Sequence, residues 1–124
     1  MAKPATILLF SCACLIGATL PLDGGAPLTV RVTPAMAQEP AIVQVTALVE
    51  ADERNRMLEI IADSATYYRS SQIQLEGRNA RRAFDFEFRD IPHGEYQVTA
   101  RLSGTDGQRA TVTRAVLVLS RSGE

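Results

Sequence analysis

The segment from Phe84 to Leu102 constrains the fold more than any other part of the chain. Its first half alternates aromatic with charged residues, and its second half alternates apolar with polar residues. A side-chain period of two is typical of a β-strand with one buried and one solvated face. Between the halves, Pro92 presets the backbone angle of a turn, and Gly94 supplies an angle that other residues resist. The segment therefore predicts a strand, a tight turn and a second strand.

The same alternation recurs elsewhere, and no segment after Gln38 shows the apolar stripe of a helix. Further strands are predicted at 41–49, 57–62, 67–75 and 110–119, separated by polar loops and turns. Short strands at regular spacing predict an all-β fold, namely an immunoglobulin-like antiparallel β-sandwich of six to seven strands.

The last predicted strand departs from simple alternation. Arg114 falls in phase with inward-facing apolar residues, and an unpaired buried charge is costly, so we expect a β-bulge near Arg114 and Ala115 to shift the phase. The following residues, 116–119, are apolar on both faces. Val116 and Val118 are therefore a candidate binding surface, where a partner could add a strand to an open edge.

The N-terminus has the pattern of an export signal. The apolar run from Ile7 to Leu22 is followed by a small-residue pattern that ends at Ala37. Cleavage after Ala37 is the favoured prediction, and cleavage after Ala18 is the alternative. Residues 1–37 are accordingly predicted to be a signal peptide, and residues 38–124 a single β-sandwich domain in the periplasm or outside a bacterial cell.

Both cysteines, Cys12 and Cys14, lie in the apolar run, so removal of the signal would leave a domain without a disulfide or a thiolate nucleophile. Lipidation at Cys12 is disfavoured because Phe10 is too bulky for a lipoprotein motif. The apolar run is short and interrupted, so no transmembrane segment is expected after signal removal.

Charge excludes several classes of partner. The chain has 13 Lys and Arg residues against 14 Asp and Glu residues, a formal net charge of −1. Nucleic acid and anionic membrane surfaces favour a basic face, so neither is an expected partner. His93 is the single histidine, and we expect it to be a solvated turn residue, so no metal or other cofactor is predicted. The turn arginines Arg78, Arg81 and Arg82 are expected to pair with nearby carboxylates such as Asp85.

A family resemblance rests on residues 91–98, which follow the aromatic strand 84–88. This Ile-Pro-x-Gly-x-Tyr turn resembles that of carboxypeptidase regulatory-like (transthyretin-like) and fibronectin type III-like sandwich domains. The resemblance implies a stalk, spacer or binding module with no activity of its own. From the residues alone, Tyr96 should bury its ring and return its hydroxyl to the turn backbone, as in a tyrosine corner.

We therefore expect an exported domain that is not an enzyme and that binds or scaffolds a protein partner in the bacterial envelope. One alternative is a carbohydrate-binding module that uses Tyr67, Tyr68 and Arg69, because Tyr and Arg are enriched at binding surfaces. Another alternative is an accessory subunit of a secreted hydrolase.

Overall fold

The computed structural model describes residues 26–121, so Cys12, Cys14 and Ala18 lie outside the described residues. The described strands, in chain order, are β1 (Leu28–Thr33), β2 (Met36–Gln38), β3 (Ala41–Val49), β4 (Asn55–Asp63), β5 (Tyr68–Gln74), β6 (Ala83–Ile91), β7 (Gly94–Gly104) and β8 (Gly107–Leu119). One 3₁₀ turn at Gly77–Asn79 connects β5 with β6. The prediction of an all-β sandwich is confirmed. Within the described range, no helix is long and apolar enough to cross a membrane.

The strands form two sheets of unequal size. One has three strands in the order β1-β3-β6, and the other has five strands in the order β2-β8-β7-β4-β5. Strands β2 and β8 pair in parallel, whereas the other pairs in these sheets are antiparallel. The chain passes from the smaller sheet to the larger one between β1 and β2. Strands that change sheet in this way join the two layers of a sandwich at one side.

Alternate side chains of both sheets fill the space between them, as the sequence predicts. Strand β3 buries every second residue from Ala41 to Val49, and β7 does so from Tyr96 to Leu102. Leu58, Ile60 and Ala62 of β4 are buried in the same core. Burial of apolar area contributes about 25 cal/mol per Å², so this shared layer is the main stabilising element of the domain.

The predicted turn between β6 and β7 is confirmed in detail. Tyr96 is buried, and its hydroxyl donates a hydrogen bond to the carbonyl oxygen of Pro92 at 2.9 Å. Gly94 has φ 152°, a backbone conformation that L side chains rarely adopt. A Cβ at this position would also lie 3.3 Å from the Tyr96 ring. Gly94 and Tyr96 therefore fix the turn together.

The sandwich begins earlier in the chain than the predicted domain boundary. Strand β1 and two residues of β2 lie within residues 1–37, and Leu28 and Val30 belong to the buried core. These strands bring the described total to eight, beyond the predicted six to seven. Alternation from Leu28 to Thr33 is a signal for β1, but these residues lie within the segment 1–37 that the apolar N-terminus marks as a leader. The cleavage site itself remains a prediction.

The predicted bulge at Arg114 is wrong. The β7–β8 register runs unbroken from Val118 to Ala110, and the irregularity lies between Leu102 and Ser103. Arg114 pairs with buried Val98 and therefore shares the inner face of its sheet, yet Arg114 is exposed. The physical reason is the unequal number of strands, because the smaller sheet leaves part of the inner face of β8 uncovered.

Replacing the Tyr96 ring tests the importance of this turn. We expect Tyr96→Ala to lower the free energy of unfolding by about 3–5 kcal/mol, as for other buried aromatic truncations. Tyr68→Ala is the matched control, since Tyr68 is exposed, and it should change stability by ~0.5 kcal/mol or less. Chemical denaturation measures both, and equal effects would show that Tyr96 is not a core residue.

Candidate functional site

The structure separates the three residues of the predicted Tyr67, Tyr68 and Arg69 surface. Tyr68 is 61% exposed, whereas Tyr67 is half-buried and meets the Tyr96 ring edge-on, with centroids 6.3 Å apart and planes at 72°. Nη1 of Arg69 donates to the Tyr67 hydroxyl at 3.1 Å and to the carbonyl of Arg89 at 2.8 Å. Tyr67 and Arg69 thus make contacts within the domain, to Tyr96 and to β6. The two tyrosines do not form one flat surface on which a sugar ring could stack.

The two residues predicted as a binding surface on the last strand are not exposed in the structure. Val116 and Val118 are core residues, with 3% and 2% of their surface exposed. The edge of β8 is covered near its C-terminal end, because β2 pairs with residues 117–119. The Leu117 amide donates to the carbonyl of Ala35 at 2.9 Å. The outward residues of this run, Leu117 and Leu119, lie in the part of β8 that pairs with β2, and Leu119 is 44% exposed.

The free edge of β6 is a better candidate for partner binding. In the three-stranded sheet, β6 pairs with β3 alone. The Val49 amide donates to the carbonyl of Arg82 at 2.8 Å, and hydrogen-bonded pairs alternate along an antiparallel ladder. With the observed register, the backbone N–H and C=O groups of Ala83, Asp85 and Glu87 therefore point away from β3.

Beside this edge, the inner face of β5 is incompletely covered. Arg69, Ser71 and Ile73 of β5 point inward but are half-buried, and so is Phe86 of β6. Strands β5 and β6 do not pair with each other. A cleft of about 260 Å³ lies between the end of β5 and the start of β6, and its lining includes Ile73, Arg81 and Phe84. A fourth strand beside β6 would lie over β5 and cover these residues.

The outer side of the β6 edge is acidic. Asp85 and Glu87 are exposed on the outer face; Thr46 Oγ1 donates to Asp85 at 2.8 Å, and Arg89 pairs with Glu87 at 3.2 Å. The turn arginines are expected from the sequence to pair with carboxylates such as Asp85. Arg81 instead lies over the Phe84 ring, 5.1 Å from its centroid. An added strand would therefore place its outward side chains beside carboxylates.

His93 has a partner that no pattern in the sequence predicts. Its Nδ1 lies 2.9 Å from Glu39 Oε1, and its backbone amide donates to the same oxygen at 2.9 Å. Glu39 Oε2 accepts the Arg121 amide at 3.0 Å. These bonds, from Arg121 first and then His93, lower the pKa of Glu39 to about 2. Glu39 thus ties the β6–β7 turn to the end of the described chain.

A second polar network closes the opposite end of the sandwich. Asn55 is 1% exposed; its Nδ2 donates to the carbonyl of Glu50 at 3.0 Å, and its Oδ1 accepts Nη1 of Arg109 at 2.7 Å. Arg109 also reaches Asp52 at 3.1 Å. Hydrogen bonds from the Arg54 side chain and backbone hold the pKa of Asp52 well below its usual range. The network satisfies its own polar groups and joins the β3–β4 loop to β8.

Within residues 26–121, no group of three or more His, Cys, Asp and Glu side chains could hold a metal ion.

Comparisons with known proteins show a shared fold and no family. No protein-family model matches the chain, and no curated protein sequence matches it. A superoxide reductase (neelaredoxin) from Ignicoccus hospitalis aligns with TM-score 0.60 and 11% identity over 75% of this chain and 80% of that one. A point variant of the same reductase aligns with TM-score 0.54 and 12% identity over 73% and 79% of the two chains. A family 76 glycoside hydrolase from a bovine Bacteroides thetaiotaomicron strain aligns with TM-score 0.53 and 14% identity over 77% of this chain, but over only 21% of the hydrolase.

These structures correct one prediction. The prediction that the chain is not an enzyme rested on the kind of fold, and the superoxide reductases are enzymes built on a similar fold. The fold therefore does not exclude catalysis. Identities of 11% and 12% show a likeness of fold alone, and neither carboxypeptidase regulatory-like nor fibronectin type III domains are among these three structures.

The lowered pKa of Glu39 predicts a specific pH dependence of stability. The folded-state pKa of Glu39, about 2, lies below its ordinary value of 4.5. The ionised Glu39 carboxylate therefore stabilises the folded protein fully above pH 4.5, and this stabilisation is lost as the pH falls toward 2. Glu39→Gln should therefore lower the melting temperature at pH 7, and its difference from wild type should shrink between pH 4.5 and pH 2. Thermal melts across this range measure it, with the exposed Glu95→Gln as control. A difference that stays constant over the whole range would contradict the assignment.

Removal of Asn55 tests the second network. Asn55→Ala leaves Arg109 and the Glu50 carbonyl without their buried partner, so we expect a loss of about 1–3 kcal/mol in the free energy of unfolding. Asn79→Ala is the control, since Asn79 is exposed. Urea denaturation compares the two variants, and an Asn55→Ala protein as stable as wild type would mean that water replaces the amide without cost.

Proposed function

We propose that this domain is exported to the bacterial envelope and binds a protein partner by adding an extended segment of that partner to the free edge of β6. The observation that carries the proposal is the outward direction of the backbone groups of Ala83, Asp85 and Glu87 beside the uncovered face of β5. An exposed strand edge is a template for pairing with another chain. Strand addition gives affinity through the backbone and specificity through alternate side chains.

The surroundings of the edge define the chemistry of the bound segment. Its inward side chains would lie over Ile73 and beside Phe86, which favours aliphatic residues. Its outward side chains would stand next to Asp85 and Glu87, and opposite charges on neighbouring strands are favourable. We therefore expect an extended segment in which aliphatic and basic residues alternate.

Two observations disfavour the carbohydrate alternative. Tyr67 packs against Tyr96, and Arg69 is engaged by Tyr67 and by the Arg89 carbonyl, so Tyr68 stands apart from both. The hydrolase alternative gains no argument from the glycoside hydrolase, because 14% identity shows the fold alone.

Blocking the edge with proline tests the proposed site. Glu87→Pro removes an amide that points away from β3, so the sandwich should remain folded while an added strand loses a hydrogen bond and meets the proline ring. Gln72→Pro is the matched control, because the Gln72 amide points to the free edge of β5. The Leu75 amide donates to the Arg56 carbonyl, and hydrogen-bonded pairs alternate from there along the β4–β5 ladder. Envelope proteins captured by wild type and by Gln72→Pro should be lost with Glu87→Pro. Capture that survives in Glu87→Pro would contradict the β6 site.

Synthetic peptides test the chemistry of the partner. A peptide of alternating valine and arginine should bind wild type about tenfold more tightly than one of alternating valine and glutamate, because two cross-strand pairs change sign. The double variant Asp85→Asn and Glu87→Gln keeps the backbone edge and should remove most of this preference. Isothermal titration measures each affinity, and equal binding of both peptides to wild type would show that the carboxylates do not select the partner.

A further inference from the structure

We infer that processing of the exported chain occurs ahead of Leu28, so that the mature domain keeps β1, and that the Ala35-Met36-Ala37 motif is not the cleavage site. The inference rests on the proposed export but not on the proposed binding edge. It follows from the positions of β1 and β2, both of which are integral parts of the sandwich.

Strand β1 completes the smaller sheet. It pairs with β3 in a continuous register from Leu28 with Val49 to Thr33 with Gln44. The side chains of Leu28 and Val30 are each 4% exposed, and Val32 packs against the same core. The contact continues beyond the strand, because the Glu50 amide donates to the carbonyl of Pro27 at 3.0 Å.

The bond between Ala37 and Gln38 lies inside a paired strand. Ala37 pairs with the buried Val118 and packs against the core. On either side, the Ala35 carbonyl accepts the Leu117 amide and the Glu39 amide donates to the Leu119 carbonyl, both at 2.9 Å. Protease sites lie in exposed chain with few hydrogen bonds, so this bond is protected once the domain has folded.

Cleavage after Ala37 before folding would leave a defective sandwich. It would remove β1 and two of the three residues of β2, which reduces the smaller sheet to β3 and β6. Val45 and Ala47, both 0% exposed in the intact domain, would lose the cover of β1, and β3 would become a nine-residue open edge. Long exposed apolar edges lead to aggregation, so a chain cut at this position would not yield a stable exported protein.

The sequence upstream offers a suitable position. The apolar run ends at Leu22, and Ala18 or the small residues from Gly24 to Ala26 can supply the residue before the cut. A cut after one of the residues Gly24 to Ala26 also gives the signal a short polar end, whereas a cut after Ala37 leaves an unusually long one. The mature chain would then start between Thr19 and Pro27.

The mass of the exported protein tests this inference directly. We expect intact mass spectrometry of the full-length chain, expressed with its own N-terminus and recovered from the envelope or medium, to give a first residue between Thr19 and Pro27. A first residue at Gln38 would overturn the inference, and so would a chain that keeps residues 1–18. Neither result depends on whether Glu87→Pro abolishes partner binding, so the two proposals can fail separately.

Substitutions in the motif and in β1 distinguish a cut ahead of β1 from a cut after Ala37. Ala35→Leu removes a small residue from the motif at a position exposed in the fold, and it should leave the mature mass shifted only by the substitution itself. Accumulation of unprocessed Ala35→Leu protein would show that the motif is cut. Val30→Asp should abolish the cooperative melt of the exported protein, whereas the neighbouring exposed Thr29→Asp should melt within a few degrees of wild type. A Val30→Asp protein that melts like wild type would show that β1 had been removed.

Discussion

The structure depends on the contact between a sheet of three strands and a sheet of five strands. Because the described domain contains no cysteine, apolar packing across this contact is the main source of stability. The unequal strand number has two visible results. At one side, Arg114 shares the inner face of β8 and still reaches solvent. At the other side, the inner face of β5 is half-covered, which leaves the edge of β6 beside partly exposed apolar side chains.

The sequence predicts local features of this fold well. Alternation locates β3 with its observed bounds, and Pro92, Gly94 and Tyr96 predict the turn and its hydroxyl bond. Each of these features arises from neighbours in the chain. The period of two specifies which side chains point inward, whereas the cover over them depends on strands that pair elsewhere. For this reason Arg114 suggested a bulge that does not exist.

Features formed by distant residues could not be predicted. Glu39 and His93 are 54 residues apart, and no pattern in the sequence marks them as partners. Strand β2 covers the edge of β8 by parallel pairing that begins with Met36 and Leu117. Because this pairing joins distant parts of the chain, the sequence alone predicts an open edge at residues 116–119. Strand β1 is a different case, because its alternation is present in the sequence but lies close to the apolar run of the predicted leader.

The hydrogen bond from Arg69 to the Arg89 carbonyl sets a limit on anything that binds β6. It occupies the edge just beyond Glu87, so the backbone groups of Ala83, Asp85 and Glu87 form a short ladder. Each new hydrogen bond contributes about 0.5–1.5 kcal/mol, and ordering each residue of a flexible segment costs about 1–2 kcal/mol. The backbone alone would then leave almost no net affinity. Side-chain contacts must therefore supply the affinity of a free flexible segment, and a segment that is already rigid in its parent protein, or that is presented in many copies on an assembly, would be bound more tightly.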